Sequence, residues 1–157
     1  TFSLPCPSFS LKMPNEKLKI LFLCTGNSCR SQMAEGFALA LRGDRIEPYS
    51  AGIEKHGLNP QAVEVMREAS VDISVYQSKT VRELEDVMFD VVITVCADAD
   101  QRCPVLPGLP PVVHRPFDDP PHLAKSAATP DAAMSYYRQV RDEIRAYIET
   151  LPEALLT

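Results

Sequence analysis

No apolar run in this sequence approaches the length that crosses a bilayer, about 20 residues, so neither a membrane anchor nor a membrane partner is expected. Basic residues are in deficit, 16 against 21 acidic ones, for a formal net charge of −5. Nonspecific nucleic-acid binding is therefore not expected. The first residues carry Pro5, Pro7 and Pro14 but no long apolar stretch. They do not read as a signal peptide, and 1–17 reads as a flexible N-terminal tail. Cysteine is sparse and odd in number, five in 157 residues. That argues against the dense framework that staples small secreted domains, and fits reduced thiols in a cytoplasmic protein. Cys6 falls in the tail and reads as inert. Histidine is scarcer still, with three. His56, His114 and His122 show no base-like spacing to a nucleophile and read as structural or solvated. No internal repeat or low-complexity block interrupts the chain.

What remains has an ordinary composition, 45% hydrophobic and 24% charged, with length enough for one core over residues 18–157. Strand and helix patterns alternate along it. Lys19 to Leu23 is short and apolar, a first strand. Met33, Phe37 and Leu41 share one face of a helix from Arg30 to Leu41, which Gly43 stops. Ile46 to Ala51 reads as a second strand. Asn59-Pro60 has the form of a cap followed by proline at the first helical position. Thr80-Val81-Arg82-Glu83 resembles a capping box. Val91 to Val95 is β-branched almost throughout, as in a strand buried on both faces. Val112 to Arg115 reads as a fourth strand. A last helix runs from near Pro130 to about Thr150, with Met134, Tyr137, Val140, Ile144 and Ile148 as its stripe. The alternation predicts an α/β fold: a four-stranded parallel sheet with helices on both faces. In such sheets ligands gather at the carboxyl ends of the strands. Cys24, Cys96 and Asp118-Asp119-Pro120 all follow strands and would converge on that edge.

The stretch CTGNSCRS, Cys24 to Ser31, follows the first strand directly. A buried strand, a short loop and a helix start form the layout of an oxyanion-binding loop. Gly26 suits a tight turn, and Asn27 tolerates unusual dihedrals better than most residues. The N–H groups of Thr25, Gly26, Asn27, Ser28, Cys29, Arg30 and Ser31 can converge on one tetrahedral anion, with the helix N-terminus behind them. Arg30 adds a planar fork that binds two oxygens at once. The same field favours a negative sulfur on Cys24, the candidate nucleophile. Cys29 reads as a core residue under the loop or as a substitute resolving thiol, the former being favoured.

Cys96 and Cys103 flank the segment ADADQR, read as a loop. Their separation is too wide for a usual zinc knuckle, and no histidine pair stands nearby to complete a tetrahedral site. Two unrelated structural thiols are one reading of the pair. The favoured one is a redox pair that closes a disulfide after the segment moves. Cys96, after an apolar strand, is the more buried candidate, and Cys103 the outer thiol. Asp119 precedes Pro120, which biases it toward extended backbone and holds its carboxyl over a site. It reads as a general acid.

With these residues in view, the chain resembles the thioredoxin-coupled arsenate reductases, which share the low-molecular-weight protein tyrosine phosphatase fold. The carriers are CTGNSCRSQMAEG from Cys24, YSAGIEKHGLNP from Tyr49, CADADQRCP from Cys96 and FDDP from Phe117. The resemblance implies that Cys24 attacks arsenate held by the loop and Arg30 while Asp119 protonates the departing oxygen. It implies that Cys96 then attacks Cys24, that Cys103 attacks Cys96, and that an external reductant, thioredoxin or another small thiol, clears the Cys96–Cys103 disulfide. Ser31 would hydrogen-bond the Cys24 sulfur. Some members hold potassium beneath the loop with residues matching Asn27, Glu35, Ser50 and an acidic one. Lys79 stands at that acidic position, its ammonium in place of the ion, so no bound metal or cofactor is expected. A monomer is expected. The competing reading is a low-molecular-weight phosphatase, which needs only Cys24, Arg30 and Asp119. A third is a noncatalytic thiol sensor that binds an oxyanion or arsenite.

Overall fold

The computed structural model describes residues 16–155; the N-terminal segment read as a tail lies, up to residue 15, outside the described residues, and Cys6 with it. The first strand, β1 (Leu18–Cys24), is built from LKILFLC, and only Lys19 in it is not buried. Because successive side chains point to opposite faces, the unbroken burial from Ile20 to Cys24 means that both faces of this strand are covered. The second strand, β2 (Ile46–Gly52), pairs with β1 in parallel, from Leu18 against Ile46 to Cys24 against Gly52. The third, β3 (Val91–Thr94), lies on the other side of β1, and the fourth, β4 (Val112–His114), beside β3. All pairings are parallel and the order is β2-β1-β3-β4. This is the expected four-stranded α/β sheet. Pro48 sits in the middle of β2 opposite Ile20; a residue with no N–H to give is tolerated there because β2 is an edge.

Helix α1 (Arg30–Arg42) buries Met33, Ala34, Phe37 and Ala38. Phe37 is fully buried, worth about 1.5–3 kcal/mol on the transfer scale. Helix α2 (Pro60–Glu68) opens as its sequence indicates: Asn59 Oδ1 accepts from Gln61 N at 2.8 Å and Ala62 N at 3.1 Å, with Pro60 next. The capping box at Thr80 is formed, yet it opens only a 3-10 turn, Val81–Leu84. The segment ADADQR is not a loop. It is a short helix, α3 (Ala97–Arg102), whose N-cap is the Cys96 sulfur accepting from Ala99 N at 3.4 Å. A second short helix, α4 (Pro120–Ala124), begins on the Asp-Pro pair. Helix α5 (Pro130–Glu149) is capped by Thr129 and packs against α1, α2 and α4; of the stripe read from the sequence it buries Tyr137, Val140, Ile144 and Ile148, while Met134 is only partly buried.

The chain leaves β1 to reach β2 on one side, and from β2 it crosses back over β1 to reach β3 on the other. The crevice beyond the carboxyl ends of β1 and β3 is therefore the topological switch point, where open α/β sheets bind ligands. Cys24 ends β1 and Cys96 follows β3 at that crevice.

Candidate functional site

A cavity of about 390 Å³ opens at the switch point, lined by Cys24, Thr25, Gly26, Ser28, Cys29, Arg30, Asp119, His56, Asn59 and Pro121. Seven of these are residues that the sequence singles out. Asn27 and Ser31 lie beneath the loop, both fully buried. Cys96 and Cys103 do not line the cavity.

The loop's shape rests on Asn27, whose φ of 49° is left-handed, a region asparagine enters more readily than other side chains. Gly26 lies in a bend, as expected, without a positive φ. A Cβ there would collide with the His56 ring, so the glycine allows a close approach. The start of α1 adds open donors. Cys29 is its N-cap and makes no side-chain capping bond, and the first turn carries no acidic residue. The first helical N–H groups thus face the loop without an intrahelical partner.

Beneath the loop, a hydrogen-bond network fixes which way each amide points. The Lys79 backbone N–H can only donate, and it reaches Asn27 Oδ1 at 2.9 Å. Gln32 Nε2 donates to the same oxygen at 2.9 Å, and also to the Asn27 and Gln77 carbonyls, each at 3.1 Å. Asn27 Oδ1 is therefore the acceptor end, and Nδ2 donates to Ser31 Oγ at 2.9 Å and to Ser50 Oγ at 3.0 Å. Ser31 Oγ, already an acceptor, keeps one hydrogen, and Cys24 Sγ stands 2.8 Å from it. The chain of donors runs toward the Cys24 sulfur, where a thiolate would accept the last hydrogen. Lys79 Nζ lies 3.7 Å from Glu35 Oε1 beneath the same loop.

Arg30 is held from the other side. Its Nη1 donates to the Phe117 carbonyl at 3.0 Å, and its Nη2 lies 3.6 Å from Asp119 Oδ1. Phe117 is anchored by its N–H to the Val95 carbonyl at 3.0 Å and by the Arg115 guanidinium 4.4 Å above its ring. Asp119 has extended backbone (φ −89°, ψ 105°), caps α4 without a side-chain bond, and is partly exposed at the mouth.

The two outer thiols differ as their flanks suggest: Cys96 is buried and Cys103 partly exposed. Thr25 connects them to the loop. Its hydroxyl donates to Asp98 Oδ2 at 2.8 Å and sits 3.4 Å from Cys96 Sγ. With the hydroxyl's one hydrogen on Asp98, the Cys96 thiol is the donor of that pair. Hydrogen bonds from Thr25 and then Arg102 hold the Asp98 carboxyl below the usual range. Cys29 is the opposite case. Burial, then the charge of Cys24, push its thiol far above the ordinary range, against the pull of Arg30. It is a neutral core thiol under the loop.

His56 is a cavity residue that sequence spacing does not reveal. Its N–H bonds to the Gly26 carbonyl at 3.0 Å, and its Nε2 lies 2.7 Å from Glu54 Oε2. Gln32 is likewise invisible in a list of chemically active side chains, although the whole underside of the loop depends on it.

Three comparisons bear on this arrangement. Residues 19–156 match the family model described as low molecular weight phosphotyrosine protein phosphatase. Arsenate reductase 1 of Staphylococcus epidermidis is 48% identical over 135 residues, 86% of this chain and 96% of that protein. A solved structure described as an arsenate reductase in the phosphate binding state superposes with a TM-score of 0.68 at 30% identity, covering 89% of this chain and 99% of that one. The low molecular weight protein tyrosine phosphatase from T. tengcongensis gives 0.67 at 26% identity, covering 88% and 99%.

Proposed function

The chain belongs to the low molecular weight phosphotyrosine protein phosphatase family, and within it we propose an arsenate reductase that runs on three thiols and is recharged by thioredoxin. The observation that carries this reading is α3, bracketed by Cys96 and Cys103 and tied to the anion loop through Thr25 next to Cys24. A phosphatase has no use for that pair. The name carried by the Staphylococcus epidermidis relative points the same way.

The reaction follows from the side chains. Arsenate, a tetrahedral oxyanion, seats on the loop N–H groups and the Arg30 fork. The Cys24 thiolate attacks arsenic, and one oxygen leaves as water after taking a proton from Asp119. Cys96 then attacks the Cys24 sulfur. The S–As bond breaks, its electron pair stays with arsenic, and arsenite departs, leaving a Cys24–Cys96 disulfide and releasing the Cys96 proton. Cys103 attacks Cys96, frees Cys24 and passes the oxidation outward as a Cys96–Cys103 disulfide. A thioredoxin dithiol reduces that bond by exchange. Cys24 and Cys96 are both buried and Cys103 is partly exposed, so the oxidation ends on the outermost thiol. Beneath the loop, Lys79 supplies toward Glu35 the positive charge that a potassium ion would supply, and no bound metal takes part.

The test is NADPH consumption with thioredoxin and thioredoxin reductase, with and without arsenate, beside Cys96→Ser and Cys103→Ser. Arsenate-dependent turnover that both substitutions abolish is the expected result. Absence of turnover in every form, with p-nitrophenyl phosphate hydrolysed normally by both variants, would make the protein a phosphatase and the thiol pair incidental.

A further inference from the structure

Cys96 is the N-cap of α3 and Cys103 its C-cap. Seven helical steps of about 1.5 Å separate their Cα atoms by roughly 10 Å. A disulfide requires about 7 Å or less. The pair therefore cannot join while α3 is wound, and whatever holds the helix wound opposes the second thiol exchange.

Little of that hold is apolar, since Ala99 is the helix's one buried residue. The hold is polar: Thr25 donates to Asp98 at 2.8 Å, Thr94 and His114 reach Asp100 at 3.5 and 3.8 Å, and at the end next to Cys103 the hold is Arg102. Arg102 Nη2 lies 2.9 Å from Asp98 Oδ2 in the same helix and 3.3 Å from Glu54 Oε1 outside it. Glu54 is a fixed post. Its N–H bonds to the Thr25 carbonyl at 2.8 Å, Ile53 N to Cys24 O at 3.1 Å and His56 N to Gly26 O at 3.0 Å, so the segment is stitched along the anion loop. Its second carboxylate oxygen is taken by His56, a cavity residue. We propose that Glu54 and Arg102 form a latch that keeps α3 wound in the reduced protein, and that its release governs how fast Cys103 reaches Cys96. The idea rests on the thiol relay above. In the wound state burial, then the Asp100 carboxylate, also push the Cys103 thiol up, so this sulfur is a poor nucleophile until the segment opens. Both latch side chains are about half exposed, 42% and 52%. Such a pair biases an equilibrium only about two- to fivefold, weak enough to open in every cycle.

The latch can be tested without arsenate. In a Cys24→Ser background, reduced full-length protein is treated with limiting diamide. The diazene takes two electrons and both thiol protons, becoming a hydrazine, while Cys96 and Cys103 join. Acid quenching, alkylation and peptide mass spectrometry then follow the Cys96–Cys103 disulfide in time. Glu54→Gln keeps the Asp98–Arg102 pair and removes the carboxylate charge that faces Arg102 and His56. It is expected to form the disulfide about two- to fivefold faster at low salt, with the gain lost near 1 M salt, where screening is short-ranged. Adding Glu54→Gln to Arg102→Gln is expected to add nothing beyond Arg102→Gln alone. Equal or slower closure in Glu54→Gln would overturn the latch, as would failure of the pair to form in any protein. Faster closure in this background, with the parent protein that retains Cys24 never turning over arsenate, would support the latch and count against the proposed substrate alone.

Discussion

The hydrogen that Ser31 points at Cys24 offers the sharpest check on the site. Ser31→Ala removes it and leaves the cavity lining intact, because Ser31 is fully buried beneath the loop. A hydrogen bond to a charged partner is worth about 1.5–3 kcal/mol net, and each 1.4 kcal/mol or so is a factor of ten. Alkylation of Cys24 by iodoacetamide at neutral pH is therefore expected to slow by about tenfold to a hundredfold, read peptide by peptide by mass spectrometry so that other thiols do not interfere. Turnover with the proposed substrate is expected to fall in parallel. The substitution also leaves one Asn27 N–H without its acceptor, since Nδ2 spends its hydrogens on Ser31 and Ser50. That costs stability of about 1–3 kcal/mol, visible in a urea titration. Stability loss alone would fit a merely structural serine. Alkylation within twofold of the parent rate would refute the donor chain from Gln32 through Asn27 and Ser31, however far the stability fell.

The remaining predictions concern the loop's neighbours. Gly52→Ala places a Cβ against the Glu54 carbonyl and within 2.7 Å of Asn27 N and 2.8 Å of Thr25 O, all backbone atoms that cannot swing aside. Overpacking of about 1–3 kcal/mol and loss of phosphate protection against Cys24 alkylation are expected; an unchanged phosphate affinity would show that the loop tolerates the shift. Burial keeps Cys29 neutral in the folded state well above the ordinary thiol range, whereas the unfolded chain ionises within it. The folded state then holds the extra proton, so the stabilisation present below pH 9.0 is lost as pH rises above it. Chemical denaturation from pH 8 to 11 should show that decline, shallower in Cys29→Ala; equal slopes would contradict it. Lys79→Met strands Glu35, only 15% exposed and 3.7 Å from the ammonium. The variant should be less stable and should regain stability in KCl more than in NaCl, and an identical response to both salts would argue that no cation site forms there.

How far the site could be read from sequence depends on what each element uses to hold itself. β1 and β3 are apolar along their length, and α5 carries its stripe at helical spacing, so their burial reports itself. The anion loop is legible because Cys24, Asn27 and Arg30 sit in one short stretch. Helix α3 leaves no such trace. Ala99 is its one buried side chain, and its cap is a cysteine sulfur, so neither periodicity nor a usual N-cap residue marks it. Two prolines at the start of α4 disguise it as a turn. His56 reaches the cavity because the β2 register runs its segment alongside Cys24–Gly26, a closeness in space that spacing along the chain does not express. Gln32 matters through the direction of its amide, which only the assembled network determines.

The edges of the sheet carry a consequence of a different kind. On one side stands β2 with Pro48 at its middle; on the other stands β4, only three residues long, entered from Pro110-Pro111 and left through Pro116. Short edge strands and proline deny a neighbouring molecule the row of free donors and acceptors on which it would polymerise. On the proposed relay a segment beside the sheet unwinds in every cycle, which carries a standing risk of self-templating. Here the borders are closed to it, and concentrated solutions should lose material through global unfolding rather than through strand exchange between folded copies.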